Sequence, residues 1–186
     1  AYQRHTGVRL HVHHVSTAAG VNLIAQARQT GRTVTGETCP HYLVFTGADY
    51  AISPERAAAL VCAPSIKSAA DREALWRGLA AGALSVLATD HCPYTWAQKR
   101  QGLADFSRIP GGMAGVETRL PLMYSEGVAA GRISLERFVS IWAEGPARAF
   151  GLYPRKGVLA VGSDADLVVF DPNAHWTLRA ADLHMN

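Results

Sequence analysis

The hydrophobic and polar positions alternate between two patterns along the first ninety residues. Short apolar runs predict strands over residues 10–15, 33–39 and 84–89. Apolar residues at helical spacing predict helices that follow Ser16-Thr17, begin at Ser53-Pro54 and cover residues 71–79. Because the crossovers between the strands are long enough to hold helices, the strands are expected to be parallel. This part of the chain therefore predicts an α/β fold.

Two later segments depart from this alternation. Residues 93–117 are polar and glycine-rich, and they predict a long loop after the third strand of the kind that binds or gates a ligand. Residues 120–127, 135–142 and 146–151 return to helical spacing. Residues 157–172 predict a turn and a β-rich strand of a different structural unit. We therefore expect a boundary between residues 1–154 and 155–186.

The composition is that of a globular protein without features of a nucleic-acid or membrane protein. The 186 residues include 18 Lys and Arg against 15 Asp and Glu, and the basic residues are scattered. No segment approaches the roughly 20 apolar residues of a membrane span, and the start lacks a signal-peptide pattern. Three widely spaced cysteines form no disulfide framework, so we expect a cytoplasmic protein. The first residue is not Met, and we expect a portion of a longer polypeptide.

Two predicted strands end in side chains that bind metals. His14 lies at the end of the first strand and Asp90 at the end of the third. Parallel strands carry their chemistry at their carboxyl ends, and a histidine with a carboxylate suits a divalent cation. Asp90 could ligate such a cation, accept a proton from the water bound to it, or only cap a helix or anchor a loop.

The neighbouring titratable residues are expected to be structural. Strict alternation along the first strand places His14 on one face and His11 and His13 on the other. Only one face can look toward a shared site, so we expect His11 and His13 to pack beneath the outer helices. For Glu37 and His41, structural support is favoured over direct chemistry.

Other catalytic patterns are absent from the sequence. There is no Gly-x-Ser-x-Gly elbow and no phosphate-binding Walker loop. Gly111-Gly112 lacks the preceding strand of a dinucleotide fingerprint and instead suits close approach of backbone groups to a ligand. Cys39, Cys62 and Cys92 have no obvious paired base, which favours buried packing over nucleophilic chemistry.

Motifs along nearly the whole chain resemble those of the cyclic amidohydrolases, the group of hydantoinases, dihydropyrimidinases, allantoinases and dihydroorotases. The matching segments are His13-His14-Val15-Ser16, Gly36-Glu37-Thr38-Cys39-Pro40-His41-Tyr42-Leu43, Cys62-Ala63-Pro64, Thr89-Asp90-His91-Cys92-Pro93, Gln98-Lys99, Asp105-Phe106, Ile109-Pro110-Gly111-Gly112 and Gly162-Ser163-Asp164-Ala165-Asp166-Leu167. The loop from Gln98 to Gly112 is most similar to hydantoinases and dihydropyrimidinases. His14 and the Cys62-Ala63-Pro64 segment look more like allantoinases.

The resemblance implies a partial TIM-type (β/α)8 barrel, with roughly strands 6 to 8 in residues 1–154 and the start of a small β-sandwich in residues 155–186. It also implies two divalent metal ions, expected to be zinc, bound by a His-x-His pair, a carboxylated lysine, two further histidines and an aspartate, with a bridging hydroxide. His14 and Asp90 match two of these ligands, and Asp90 matches the general base as well. The other ligands lie on earlier strands, so we expect an incomplete site and an inactive chain within an active parent enzyme.

The implied substrate is a small cyclic amide or ureide, with a hydantoin or dihydropyrimidine ring favoured. Ring-amide contacts fall at Ala63 and Gly111, where the resemblance places a serine and an asparagine; backbone contacts survive these differences and a hydroxyl contact does not. The group also implies a homo-oligomer, by resemblance a tetramer. The alternatives are an allantoinase or dihydroorotase and, in another class, a non-catalytic dihydropyrimidinase-like scaffold.

Overall fold

Three short parallel strands form the sheet of the protein. The computed structural model describes residues 2–184. The strands are β1 (Leu10–Val12), β2 (Val34–Thr38) and β3 (Val86–Leu87), in the spatial order β1-β2-β3. Both pairings are parallel, with His11 opposite Thr35 and Glu37 opposite Val86. The predicted α/β class with a parallel sheet is confirmed.

Helices connect and cover these strands. The α-helices are α1 (Tyr2–Thr6), α2 (Ala18–Gln29), α3 (Pro40–Val44), α4 (Pro54–Ala59), α5 (Ala69–Ala80), α6 (Trp96–Lys99), α7 (Arg119–Met123), α8 (Leu135–Val139) and α9 (Gly145–Ala149). Single 3-10 turns lie at Gly47–Ala51, Arg100–Gly102, Phe106–Arg108 and Ala180–Asp182. Helices α7 and α8 each continue into a π-helical turn, at Tyr124–Ala129 and Ser140–Glu144.

Local capping residues set the starts of the helices between the strands. The Thr17 side chain accepts a hydrogen bond from the Gly20 N–H at the start of α2, and that of Ser53 accepts one from the Arg56 N–H at the start of α4. Ser68 forms a reciprocal capping box with Asp71 before α5. The predicted helix starts at Ser16-Thr17 and Ser53-Pro54 agree with the structure, and α5 begins two residues earlier than expected.

A glycine in the central strand determines which face of the sheet the helices cover. A Cβ atom on Gly36 would lie 2.6 Å from Ile24 Cδ1 of α2 and 3.3 Å from Leu84 Cδ2. Gly36 thus faces the buried apolar layer, which includes Leu75 and Leu79 of α5, both fully buried. Because side chains alternate along a strand, Thr35 and Glu37 point to the opposite face.

Several elements differ from the sequence prediction. β1 ends at Val12 and β3 covers two residues, so both are shorter than expected. Helix α3 follows β2, where no helix was expected. Pro40 favours a helix start there, since it lacks the N–H that the first turn of a helix leaves unpaired. The predicted loop over residues 93–117 contains α6 and two 3-10 turns, and His91 and Met113 form an isolated parallel bridge across it.

The predicted β-rich strand within residues 157–172 does not form. In the described range 2–184, no strand follows β3. Val161 and Val169 are fully exposed, and a strand needs a neighbour to pair its backbone N–H and C=O groups. Residues 185 and 186 of the predicted sandwich segment lie outside the described range. The boundary at residue 154 stays a prediction.

Among residues 2–184, no helix combines the length and the apolar character that a bilayer span requires.

Candidate active site

The two predicted metal ligands meet at one edge of the sheet. His14 follows β1 and Asp90 follows β3, and the Nε2 atom of His14 lies 3.5 Å from Oδ1 of Asp90. Within the described residues, these two are the non-glycine residues with positive φ, 51° for His14 and 48° for Asp90. Such a backbone costs about 1 kcal/mol or more per residue, so the surrounding structure must hold both in place. Strained residues of this kind cluster at functional sites.

Glu37 orients His14 from the middle strand. Its Oε1 atom lies 3.2 Å from Nδ1 of His14, and its side chain is 5% exposed. A carboxylate on one ring nitrogen leaves the other nitrogen available for a ligand, which here is the Nε2 atom facing Asp90. Burial by itself raises the pKa of Glu37, but hydrogen bonds with His11 and His13 outweigh it and hold this pKa below its ordinary value.

His11 and His13 do not pack beneath the outer helices, and that expectation was wrong. His11 Nε2 lies 2.9 Å from Oε2 of Glu37, and His13 Nδ1 lies 3.0 Å from Oε1. The strand ends at Val12 and His14 adopts a positive φ, so strict alternation no longer holds at its end. All three histidines therefore contact the same carboxylate.

His41 and Cys39 lie beside Glu37 and the three histidines, and both side chains are uncharged at neutral pH. Burial is the main cause that lowers the pKa of His41 to about 4, the nearby Asp90 opposing it and His14 adding to it. The His41 imidazole is therefore neutral at neutral pH, and its buried Nε2 atom has no hydrogen-bond partner among the described residues. Burial raises the pKa of the Cys39 thiol well above its usual range, so Cys39 is no thiolate nucleophile.

The two segments predicted to contact a substrate lie side by side. The Gly112 N–H donates to the Val61 carbonyl at 2.9 Å, which places Gly111 against the Cys62 backbone. Ala63 and Gly111 are both exposed. The Cys92 N–H donates to the Met113 carbonyl at 3.1 Å, which ties this loop to the chain just after Asp90.

Lys99 joins these segments, a role that the sequence analysis missed. Its Nζ atom donates to the same Val61 carbonyl at 2.9 Å, and the residue is 4% exposed. Burial lowers the pKa of Lys99, with Cys62 and Cys92 opposing this shift. The Gln98-Lys99 motif was visible in the sequence, but nothing local indicates that this lysine is buried.

His91 supports the loop and does not face the site. Its Nδ1 atom accepts hydrogen bonds from the N–H groups of Gly115 and Val116, at 3.1 and 3.3 Å. Of these two neighbouring residues, Asp90 is therefore the one that faces His14 after β3.

The donor set of His14 and Asp90 fits part of a zinc-type site. Two ligands of one tetrahedral Zn²⁺, each about 2.1 Å from it, lie roughly 3.4 Å apart, and the observed separation is 3.5 Å. The pair by itself supplies two of the usual three or four protein ligands, so a complete site needs others.

Comparison with known proteins shows the family of the chain. The model of the amidohydrolase family matches residues 2–184. The chain is 45% identical to a D-hydantoinase of Streptomyces coelicolor over 97% of its length, and 42% identical to a D-phenylhydantoinase of Escherichia coli O1:K1 over 95%. In each case it covers 38% of the relative.

Solved structures show the same similarity. A crystal structure of a D-hydantoinase superposes with a TM-score of 0.93 at 42% identity, covering 98% of this chain and 40% of the other. A dihydropyrimidinase from Brevibacillus agri NCHU1002 superposes with a TM-score of 0.83 at 40% identity, covering 88% and 36%. The chain thus spans about two fifths of the length of these relatives.

Proposed function

Because the chain belongs to the amidohydrolase family, we propose that it forms the carboxyl-terminal part of a metal-dependent hydrolase that opens a hydantoin or dihydropyrimidine ring. The observation that carries this proposal is the placement of His14 and Asp90, 3.5 Å apart and both strained, at the ends of two parallel strands. The D-hydantoinase of Streptomyces coelicolor is 45% identical to this chain, and the D-phenylhydantoinase of Escherichia coli O1:K1 and the D-hydantoinase crystal structure are each 42% identical to it. The allantoinase and dihydroorotase alternatives are tested as other rings by the same assay.

His14 and Asp90 would hold a divalent cation, with zinc the metal that suits a nitrogen and a carboxylate ligand. When bound, such a cation lowers the pKa of a coordinated water and polarises a carbonyl group. Glu37 keeps the His14 Nδ1 atom engaged, so that Nε2 faces the cation. Asp90 has a second task as general base, which receives a proton and passes it to the leaving amide nitrogen.

The substrate ring would lie over the adjoining segments at Ala63 and Gly111. Both residues lack polar side-chain atoms, so any hydrogen bond from them to a ring amide uses backbone groups. Lys99 and the Gly112 N–H meet at the Val61 carbonyl and hold the two segments at a fixed separation. A small cyclic amide or ureide matches this arrangement of paired backbone groups.

The remaining parts of the proposal concern the longer polypeptide. Within residues 2–184, β1 and β3 each pair on one side only, which suits the last strands of a barrel whose other strands lie elsewhere. We propose that residues 1–154 complete a (β/α)8 barrel, that residues 155–186 begin a small β-sandwich, and that the enzyme is a cytoplasmic homotetramer with two metal ions per subunit. The 186-residue chain alone would be inactive because it lacks the other metal ligands.

The test is ring opening by the natural full-length chain and its Asp90→Asn variant, with hydantoin, dihydrouracil, allantoin and dihydroorotate as substrates. Asp90→Asn keeps the shape of the side chain and removes its charge, and we expect a loss of about 10³-fold or more. Asp171→Asn alters an exposed carboxylate that accepts a hydrogen bond from the Asn173 N–H; it is the control and should retain activity. A parent that assembles but opens none of the four rings favours the scaffold, and a rate unchanged in Asp90→Asn overturns the assignment of Asp90.

A further inference from the structure

A second set of side chains that could bind a metal ion lies beside His14, on the face of the sheet opposite to Gly36. In the described part of the chain, His11, His13 and Glu37 form the one group of three such residues whose ligand atoms all lie within 4.8 Å of one another. His11 and His13 are two residues apart on and just after β1, and Glu37 comes from the neighbouring strand β2. The group therefore draws its ligands from two paired strands.

The ring of His11 is held between two polar partners. Its Nδ1 atom lies 2.8 Å from the Thr35 hydroxyl oxygen, and its Nε2 atom lies 2.9 Å from Oε2 of Glu37. Nε2 is therefore directed at the carboxylate. A metal ion bound to Nε2 would replace the proton that this nitrogen shares with Glu37, while Nδ1–H can donate to the Thr35 oxygen.

The other histidines surround the same carboxylate. Nitrogen atoms of three histidines lie within 3.2 Å of Glu37, two of them on the single atom Oε1. The Glu37 side chain is 5% exposed and that of His11 is 13% exposed, whereas that of His13 is 62% exposed. Water screens the first two groups poorly, which strengthens their attraction for a cation, and His13 leaves a path by which an ion can enter.

We propose that His11 Nε2, His13 Nδ1 and the Glu37 carboxylate bind a divalent transition-metal ion of the zinc class, at a site separate from that of His14 and Asp90. Two imidazoles and one carboxylate are a ligand set that zinc takes, with water in the fourth position. The nitrogen-to-oxygen distances must widen from 2.9 and 3.0 Å to about 3.3 Å around the ion, a movement within the reach of side-chain rotation.

Thr35 acts as the supporting residue of this site. Its contact with His11 Nδ1 fixes the ring orientation and directs Nε2 at Glu37. Because Glu37 also contacts His14, an ion bound here competes for the carboxylate that orients His14. The inference does not depend on the proposed hydrolase activity.

The experiment counts metal equivalents in the natural full-length chain after stripping and reloading with Zn²⁺, and measures affinity from Co²⁺ absorption in competition with a chelator. We expect the His11→Gln/His13→Gln double variant to bind one equivalent fewer than the unaltered protein. The matched control, His5→Gln/His175→Gln, alters two exposed histidines outside the group and should bind the same number. Thr35→Val keeps all three ligands, and we expect roughly 10–100-fold weaker Co²⁺ binding at this site.

An unchanged equivalent count and an unchanged Co²⁺ affinity in the double variant overturn the site and leave hydrogen bonds alone between these histidines and Glu37. If the double variant does not fold, His13→Gln alone decides the question, since this exposed side chain contributes little to packing. Weaker Co²⁺ binding by at least tenfold supports the site, and unaltered binding overturns it.

Discussion

Gly145, the first residue of α9, has no room for a side chain, and its replacement by alanine should strongly destabilise the protein. A Cβ atom at this position would lie 1.9 Å from the Ser85 carbonyl oxygen and 3.0 Å from that of Ser140. Real Cβ atoms essentially never come closer than 3.0 Å to a heavy atom, so α9 and the chain before β3 must separate by about 1 Å. Backbone atoms cannot rotate aside as a flexible side chain can.

The cost follows from what this separation disrupts. The Ser85 N–H donates to the Gly36 carbonyl at 3.0 Å, so movement at Ser85 pulls on the pairing of β2 with β3. Overpacking a buried site typically costs 1–3 kcal/mol, and a clash with backbone belongs at or above the upper end of that range. We therefore expect Gly145→Ala to lose about 3 kcal/mol, a large share of the roughly 5–15 kcal/mol that stabilises a typical domain.

The assay is thermal and urea unfolding of Gly145→Ala beside Gly47→Ala. Gly47 also begins a helical turn, but a Cβ atom there would meet only the Lys67 carbonyl oxygen, at an ordinary 3.6 Å. We expect the control to change stability by less than about 0.5 kcal/mol and Gly145→Ala to lower Tm by roughly 6–12 °C if the cooperative unit has 150–250 residues. Equal melting temperatures for the two variants would refute the packing argument.

Two further predictions concern groups beside Asp90. The pKa of His41 is lowered to about 4 in the folded protein. The stability that comes from the neutral imidazole is therefore fully present above pH 6.5 and is lost as the pH falls toward 4. In urea unfolding, we expect the free energy of unfolding of the wild type to fall by about 2 kcal/mol more than that of His41→Gln between pH 7.5 and 5. Equal losses in the two proteins would contradict this. Lys99→Met removes the ammonium group that binds the Val61 carbonyl. Steady-state kinetics of the full-length enzyme should show KM raised more than kcat is lowered. The control is Lys67→Met, at a partly exposed lysine whose ammonium group binds the Ser65 hydroxyl, and it should leave both unchanged.

Features set by neighbouring residues were predictable from the sequence. Thr17 and Ser53 cap helices with their own side chains, so the starts of α2 and α4 could be located without knowledge of the fold. The ends of β1 and β3 likewise identified His14 and Asp90, which the structure brings within 3.5 Å. Helix α3 was missed because its start depends on Pro40 alone, without an apolar period long enough to detect.

Features that depend on distant contacts were not predictable. Alternation correctly places His11 and His13 on one face, but the positive φ of His14 brings it to the same Glu37 carboxylate. The burial of Lys99 depends on a carbonyl 38 residues earlier in the chain.

The sequence by itself determined the parallel α/β alternation, the caps of α2 and α4, and the acid and histidine at the strand ends, because each follows from residues a few positions apart. Only the tertiary structure decided which face of the sheet is covered. The packing of Ile24 against Gly36 commits that face to the helices and leaves Glu37 on the other, where three histidines meet it. Alternation states which residues share a face, whereas the choice of the buried face is made by side chains that fit together across the chain.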